Sequence, residues 1–220
     1  MVLWVVFDVG NTLFDSKRVK KRIYAKNIFY SALVSSGFVV KRSEALVAYA
    51  FVTDFLRDSW FVGKYPPYIK DSLAMDFLEL DYTKSELLTV YNKRRSLFLL
   101  NEKIFPDVVR LLCMLRKNGF KLGIVANSKR VELMDRLNFF KIKKFFDVIV
   151  CSQDCGSLKL DLVPYFLFLK KAGIKDSSKC LYVGDDYSQD SFSKKVGMHF
   201  LHLKDPKKIY SLVKEKALCR

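Results

Sequence analysis

The sequence predicts an α/β fold: an open parallel sheet flanked by helices, interrupted after its first strand by a helical insertion. Three observations carry this. The apolar run Val2-Leu3-Trp4-Val5-Val6-Phe7 ends at Asp8, and a second, Cys180-Leu181-Tyr182-Val183, ends at Gly184-Asp185-Asp186. Runs without polar alternation suit parallel strands buried on both faces, and carboxylates at their C-terminal ends suit a site at the sheet's crevice. From about residue 101 onward, strand-length runs alternate with helical periodicity, the pattern of right-handed crossovers between parallel strands. Residues 16–100 break that alternation, with helical periodicity and no convincing buried strand.

Element by element, strands are expected at Val2–Phe7, Lys121–Ala126, Phe146–Cys151, Cys180–Val183 and Met198–Leu203. Helices are expected between the later ones, at Asp107–Lys117, Lys129–Leu137, Leu162–Ala172 and Gln189–Val196. Gly119, Gly173 and Gly197 each fall just past such a stretch, where a left-handed stop is favoured. Pro206–Leu218 reads as a last helix with its proline in the first turn. Within the insertion the periodic stretches are Val19–Phe38, Ser43–Trp60, Pro67–Leu80 and Lys84–Leu99. The organisation expected is a core from residues 1–15 and 101–220, with 16–100 inserted over the carboxyl edge of the sheet.

Half of the 220 residues are hydrophobic, enough for a sizeable core and against wholesale disorder. The five cysteines, Cys113, Cys151, Cys155, Cys180 and Cys219, form an odd set without zinc-ligand spacing. Cys113, Cys151 and Cys180 sit in apolar stretches, where reduced, buried thiols are expected; Cys151 and Cys155 are spaced to close a small loop under oxidation. The apolar run at residues 1–7 is too short for a signal core or a membrane span, so no membrane role and a reducing cytoplasm are expected. The formal charge of +16 suits anionic partners. Its densest run, Lys17-Arg18-Val19-Lys20-Lys21-Arg22, reads as a solvated helix face or as a funnel for an anionic substrate. Nucleic-acid binding is disfavoured because no nucleic-acid motif accompanies the charge.

Carboxylates converging from Asp8, Asp185 and Asp190 would repel one another unless a cation joined them, and hard oxygen donors suit Mg²⁺. Four segments in order carry a resemblance: Asp8-Val9-Gly10-Asn11-Thr12, Ile124-Val125-Ala126-Asn127-Ser128, Gly156-Ser157-Leu158-Lys159, and Val183-Gly184-Asp185-Asp186 with Asp190. The chain resembles the haloacid dehalogenase (HAD) superfamily over nearly its whole length. That resemblance implies a Rossmann-like core with an inserted α-helical cap, and a hydrolase of the phosphatase type acting on a small phosphorylated metabolite. It implies Asp8 as the nucleophile forming an aspartyl-phosphate, and Lys159 as the cation that pairs with Asp8 and the transferring oxygens. It also implies Mg²⁺ held by Asp8, the Gly10 carbonyl and Asp185, with Asp190 or Asp186 holding the metal's water shell. Asn127, Ser128 and Thr12 are the substrate-binding candidates; Asn127 and Ser128 also read as helix caps, and Thr12 as a turn-stabilising hydroxyl. Tyr165 reads as core packing or as a tyrosine that dehalogenases share. A monomer or a homodimer is expected.

Two departures bear on activity. Gly10 stands where phosphatases of this type place the acid that protonates the leaving group, and Ala126 stands where a hydroxyl is usual. General acid catalysis is worth about 10²–10⁴-fold. A Mg²⁺-dependent phosphatase weak on poor leaving groups is therefore expected, with a catalytically silent phosphate- or partner-binding protein as the alternative. A dehalogenase needs no metal and would carry the acidic cluster as a burden, and a phosphonate hydrolase would need a Schiff-base lysine such as Lys17, Lys20, Lys21 or Lys26. Leu160 stands where the family usually follows the lysine with proline.

Overall fold

The computed structural model describes residues 3–16, 27–56, 59, 63 and 65–218. In chain order the elements are β1 (Trp4–Phe7), α1 (Ile28–Ser35), α2 (Arg42–Leu56), α3 (Ile69–Phe77), α4 (Lys84–Asn101), α5 (Val108–Lys117), β2 (Lys121–Ala126) and α6 (Arg130–Phe139). There follow β3 (Val148–Cys151), α7 (Ser152–Cys155), α8 (Val163–Ala172), β4 (Cys180–Gly184), α9 (Tyr187–Asp190), β5 (His199–His202) and α10 (Ile209–Leu218). They divide into two compact units, one from Met1–Asp15 with Lys103–Arg220 and one from Ser16–Glu102.

The first unit is built on a five-stranded sheet of order β3-β2-β1-β4-β5, every pair parallel. β1 is central and all four of its residues are buried. Strand pleating sends alternate side chains to opposite faces. Val5 and Phe7 meet Leu111, Leu112 and Leu115 of α5 and Ile209 and Val213 of α10 in one core. Trp4 and Val6 join Tyr165 and Phe168 of α8 in another. β2 carries Gly123 where a Cβ would run into the Phe168 ring, so its glycine sets how closely α8 lies on the sheet. Phe7 pairs with Ile124 of β2 on one side and Val183 of β4 on the other. The sheet order reverses at this point, so the loops after β1, β2 and β4 open into one crevice.

The second unit packs α1–α4 around Phe29, Leu33, Ala48, Val52, Met75 and Val90. A capping box starts α4: Thr83 Oγ1 accepts from Glu86 N while Glu86 Oε2 accepts from Thr83 N at 2.8 Å. Inside, Arg94 makes a two-pronged ion pair with the fully buried Asp71, its Nη2 donating to Oδ2 at 2.9 Å. Its guanidinium also lies 5.5 Å from the Tyr49 ring centroid.

Several expectations shift in detail. The helix expected at Gln189–Val196 is instead α9 followed by a 3₁₀ turn, Ser191–Val196. Ser193 Oγ donates back to the Asp190 carbonyl at 2.7 Å, and such serine bonds compete with regular helix. The third strand starts at Val148 because a 3₁₀ turn, Lys143–Phe145, occupies the chain before it. Cys113 is exposed rather than buried, since it lies on the outer face of α5. Cys151 and Cys155 are free thiols. Of Val19–Phe38, only Ile28–Ser35 is seen as helix; the basic run at 17–22 and the candidate lysines 17, 20, 21 and 26 lie outside the described residues, as does Cys219. No helix among the described residues is long and apolar enough to cross a membrane.

Candidate active site

Asp8 follows β1 directly, and its amide donates to the Val183 carbonyl at 2.9 Å, continuing the ladder one step beyond the strand. Its carboxylate is thereby fixed between the ends of β2 and β4. Lys159 reaches it from a 3₁₀ turn, Lys159–Asp161. Asp161 Oδ2 holds that turn by accepting from Ser157 Oγ at 2.7 Å and from the Leu158 amide at 3.2 Å. Leu162 closes the turn with a positive φ of 63°. The turn therefore forms with Leu160 in the place of proline, and Leu160 itself is exposed.

The Lys159 ammonium is buried between two carboxylates, donating to Asp8 Oδ1 at 2.7 Å and to Asp190 Oδ1 at 2.5 Å. Asp190 is fully buried, and its Oδ2 accepts from the Asp186 amide at 3.0 Å. Gly184 makes room for it: a Cβ at that position would overlap the Asp190 carboxylate. Carboxylate oxygens of Asp8, Asp185 and Asp190 lie within 4.8 Å of one another. The Asp185 carbonyl is 3.0 Å from His202 Nε2 on β5.

The electrostatics show an excess of negative charge. Burial alone would lower the pKa of Lys159, but the charges of Asp8 and then Asp190 outweigh it and hold the ammonium above its ordinary range. Asp190 is nonetheless pushed up to about 6, by burial first and then by Asp8, with Lys159 pulling the other way. One ammonium does not neutralise neighbouring carboxylates that also face Asp185. The donor set of Asp8, Asp185 and Asp190 is all oxygen and net negative. These residues fit a hard divalent cation such as Mg²⁺.

The remaining candidates divide. Asn127 spans the loops rather than capping a helix: its Oδ1 accepts from the Lys159 amide at 3.0 Å, and its Nδ2 donates to Gln189 Oε1 at 2.7 Å. Ser128 Oγ donates to the Lys129 carbonyl at 3.1 Å, and its amide donates to Ser152 Oγ at 3.0 Å. Neither caps α6 with its side chain; the Arg130 amide is met by Gln153 Oε1 at 2.8 Å. Gly10 lies in a one-residue bridge with Phe14. Asp186 caps α9, its Oδ1 accepting from the Ser188 amide at 2.9 Å. Tyr165 is buried on the core and its hydroxyl reaches the Gln189 carbonyl at 3.3 Å. Two participants went unread in the sequence, Gln189 and Tyr182. The signal for Tyr182 was a polar-tipped ring inside an otherwise apolar strand.

A doubly wound parallel sheet with a carboxylate–lysine–carboxylate cluster at its point of reversal defines a Rossmann-like α/β protein whose crevice gathers oxygen donors around one lysine. The chain belongs to the haloacid dehalogenase-like hydrolases, whose family model matches residues 2–191. It is 26% identical over 192 residues to a glyceraldehyde 3-phosphate phosphatase of Methanopyrus kandleri, covering 86% of this chain and 78% of that protein. Among solved structures, it resembles a HAD phosphatase from Thermococcus onnurineus with TM-score 0.60 and 21% identity, over 92% of this chain and 86% of that one. It also resembles a 2-haloacid dehalogenase from Pseudomonas syringae pv. Tomato, with TM-score 0.68 and 19% identity, over 98% and 100% of the two chains. At these identities the structural likenesses speak for the fold.

Proposed function

We propose that this chain is a Mg²⁺-dependent phosphatase that acts on a small phosphorylated metabolite through an aspartyl-phosphate at Asp8. The observation that carries the reading is the buried Lys159 ammonium shared by Asp8 and Asp190, beside Asp185, where the sheet order reverses. Without a metal the extra carboxylates would be an electrostatic burden, which disfavours a dehalogenase, whereas a Mg²⁺-dependent phosphatase would use them to hold its ion. Asp8, Asp185, Asp190 and the Gly10 carbonyl would hold the ion. Bound there, Mg²⁺ would neutralise phosphoryl charge and orient the ester.

The chain's own groups supply the rest. A carboxylate oxygen of Asp8 attacks phosphorus, the bond to the leaving oxygen breaks, and the leaving group takes its proton from solvent because Gly10 offers none. Water then attacks the phosphorus of the aspartyl-phosphate, its proton passes to solvent, and phosphate leaves with the Asp8 carboxylate restored. Lys159 counters the charge that gathers on the transferring oxygens in both steps. Asn127 would help to hold the Lys159 turn, its Oδ1 accepting from the Lys159 amide. The inserted unit, Ser16–Glu102, would act as the cap, and substrate choice is assigned to it.

The Methanopyrus kandleri relative is named for a small phosphorylated aldehyde, so compounds of that size are the first to test. Phosphate release over a panel of esters, with and without Mg²⁺ and with Asp8→Asn, tests the reading; turnover surviving that substitution would overturn it. Gly10 and Ala126 favour a second reading, a protein that binds phosphate without turnover. Mg²⁺-assisted binding of phosphate with no product from any ester would decide for it.

A further inference from the structure

We infer that Tyr182 is a positioning residue for this reaction, fixing the Lys159 ammonium between Asp8 and Asp190; the inference rests on the phosphatase reading above. Tyr182 is fully buried in β4, among Cys180, Leu181 and Val183. Its Oη lies 2.8 Å from the Val125 carbonyl oxygen, 3.2 Å from Asp190 Oδ1 and 3.5 Å from Lys159 Nζ.

A phenol brings one proton and two lone pairs, an ammonium three protons and no acceptor. Two Lys159 protons go to Asp8 and Asp190, and Tyr182 Oη stands 3.5 Å from Nζ, within reach of the third. The shortest contact of Oη is to the Val125 carbonyl. With the phenol proton placed there, its lone pairs face the ammonium. The ring has little room to swing. It stands edge-on to Tyr165 at 5.3 Å between centroids and lies 6.4 Å from Phe200. Phenylalanine would fill the same space without burying a hydroxyl, which costs stability unless the hydroxyl is used.

The test is a double-mutant cycle of wild type, Tyr182→Phe, Lys159→Met and the double variant, with Mg²⁺ present. Turnover of a phosphate ester and Mg²⁺-assisted binding of beryllofluoride, followed by thermal shift, are both read. With Lys159 present, Tyr182→Phe is expected to lower kcat about tenfold, the worth of one buried hydrogen bond, with KM changed less than about twofold. In the Lys159→Met background, the same change is expected to cost less than about twofold. Where that background is too slow to assay, the beryllofluoride affinities complete the cycle; if it fails to fold, Lys159→Ala, which likewise offers no donor, replaces it with the same expectation. Equal losses in both backgrounds, or an unaltered kcat in Tyr182→Phe, would overturn the role. Absence of turnover by the wild type would instead defeat the phosphatase reading. The beryllofluoride cycle would then decide alone, and no coupling or no binding there would also overturn the role of Tyr182.

Discussion

Replacing Lys159 with Met is expected to destabilise the metal-free protein strongly and to make its stability depend on Mg²⁺. The side chains of Lys159, Asp8 and Asp190 are 4%, 10% and 0% exposed, so solvent screens little of what the ammonium contributes. Removing one partner of a buried ion pair costs about 3–5 kcal/mol, because the other charge is left uncompensated. For a chain of this size each kcal/mol moves the melting temperature by roughly 2–4 °C, so a fall of about 6–20 °C is expected in EDTA. Part of the cost is relieved when Asp190, already pushed up to about 6, takes a proton, which favours the lower half of that range at acidic pH. Mg²⁺ at about a hundredfold over its dissociation constant would return about 2.7 kcal/mol. Differential scanning fluorimetry of both proteins in EDTA and in Mg²⁺ measures each quantity. A variant as stable as the wild type in EDTA would refute the reasoning, since Lys159 would then not be compensating buried charge.

With no acid at position 10, activated aryl phosphates should be hydrolysed far faster than sugar phosphates, and equal specificity constants would point to an acid elsewhere. Gly10→Asp should raise kcat on alkyl phosphates by about 10²-fold or more, as phosphate release would show; no gain would mean the site is impaired at another point. Asp190 gives a pH prediction with a definite sign. Its folded-state pKa lies above the ordinary value of 3.8, so its contribution to stability is full below about pH 4 and is lost as pH rises through about 6. In EDTA, the stability of wild type relative to Asp190→Asn should therefore fall by about 1–3 kcal/mol between pH 4 and 7. Denaturant titrations at each pH measure the difference, and a flat profile would count against the charge surplus.

The strands were legible because residues such as Val5, Val6 and Ile124 are buried on a parallel sheet and carry no polar alternation. The four segments around Asp8, Asn127, Lys159 and Asp185 were legible from order and spacing, and the structure brings side chains from all four to one crevice. Their detailed roles were not. Asn127 reads from sequence as a cap or a substrate donor, yet its amide spans Lys159 and Gln189, residues distant in the chain. Tyr182 acquires meaning only once the register sets its ring beside Lys159 and the Val125 carbonyl. The tight turn at Leu158–Leu162 was obscured by the missing proline, because Asp161 supplies through hydrogen bonds what a ring would supply through φ. Helix ends shifted where serines compete for backbone groups, as at Ser193.

The claim that Asp8 attacks phosphorus is tested most directly by trapping the intermediate. Protein mixed with a fast ester and Mg²⁺, then quenched in borohydride, should carry homoserine at position 8, seen by peptide mass spectrometry and absent without substrate. Turnover in which residue 8 stays aspartate, or in which the reduced residue lies elsewhere, would contradict the assignment.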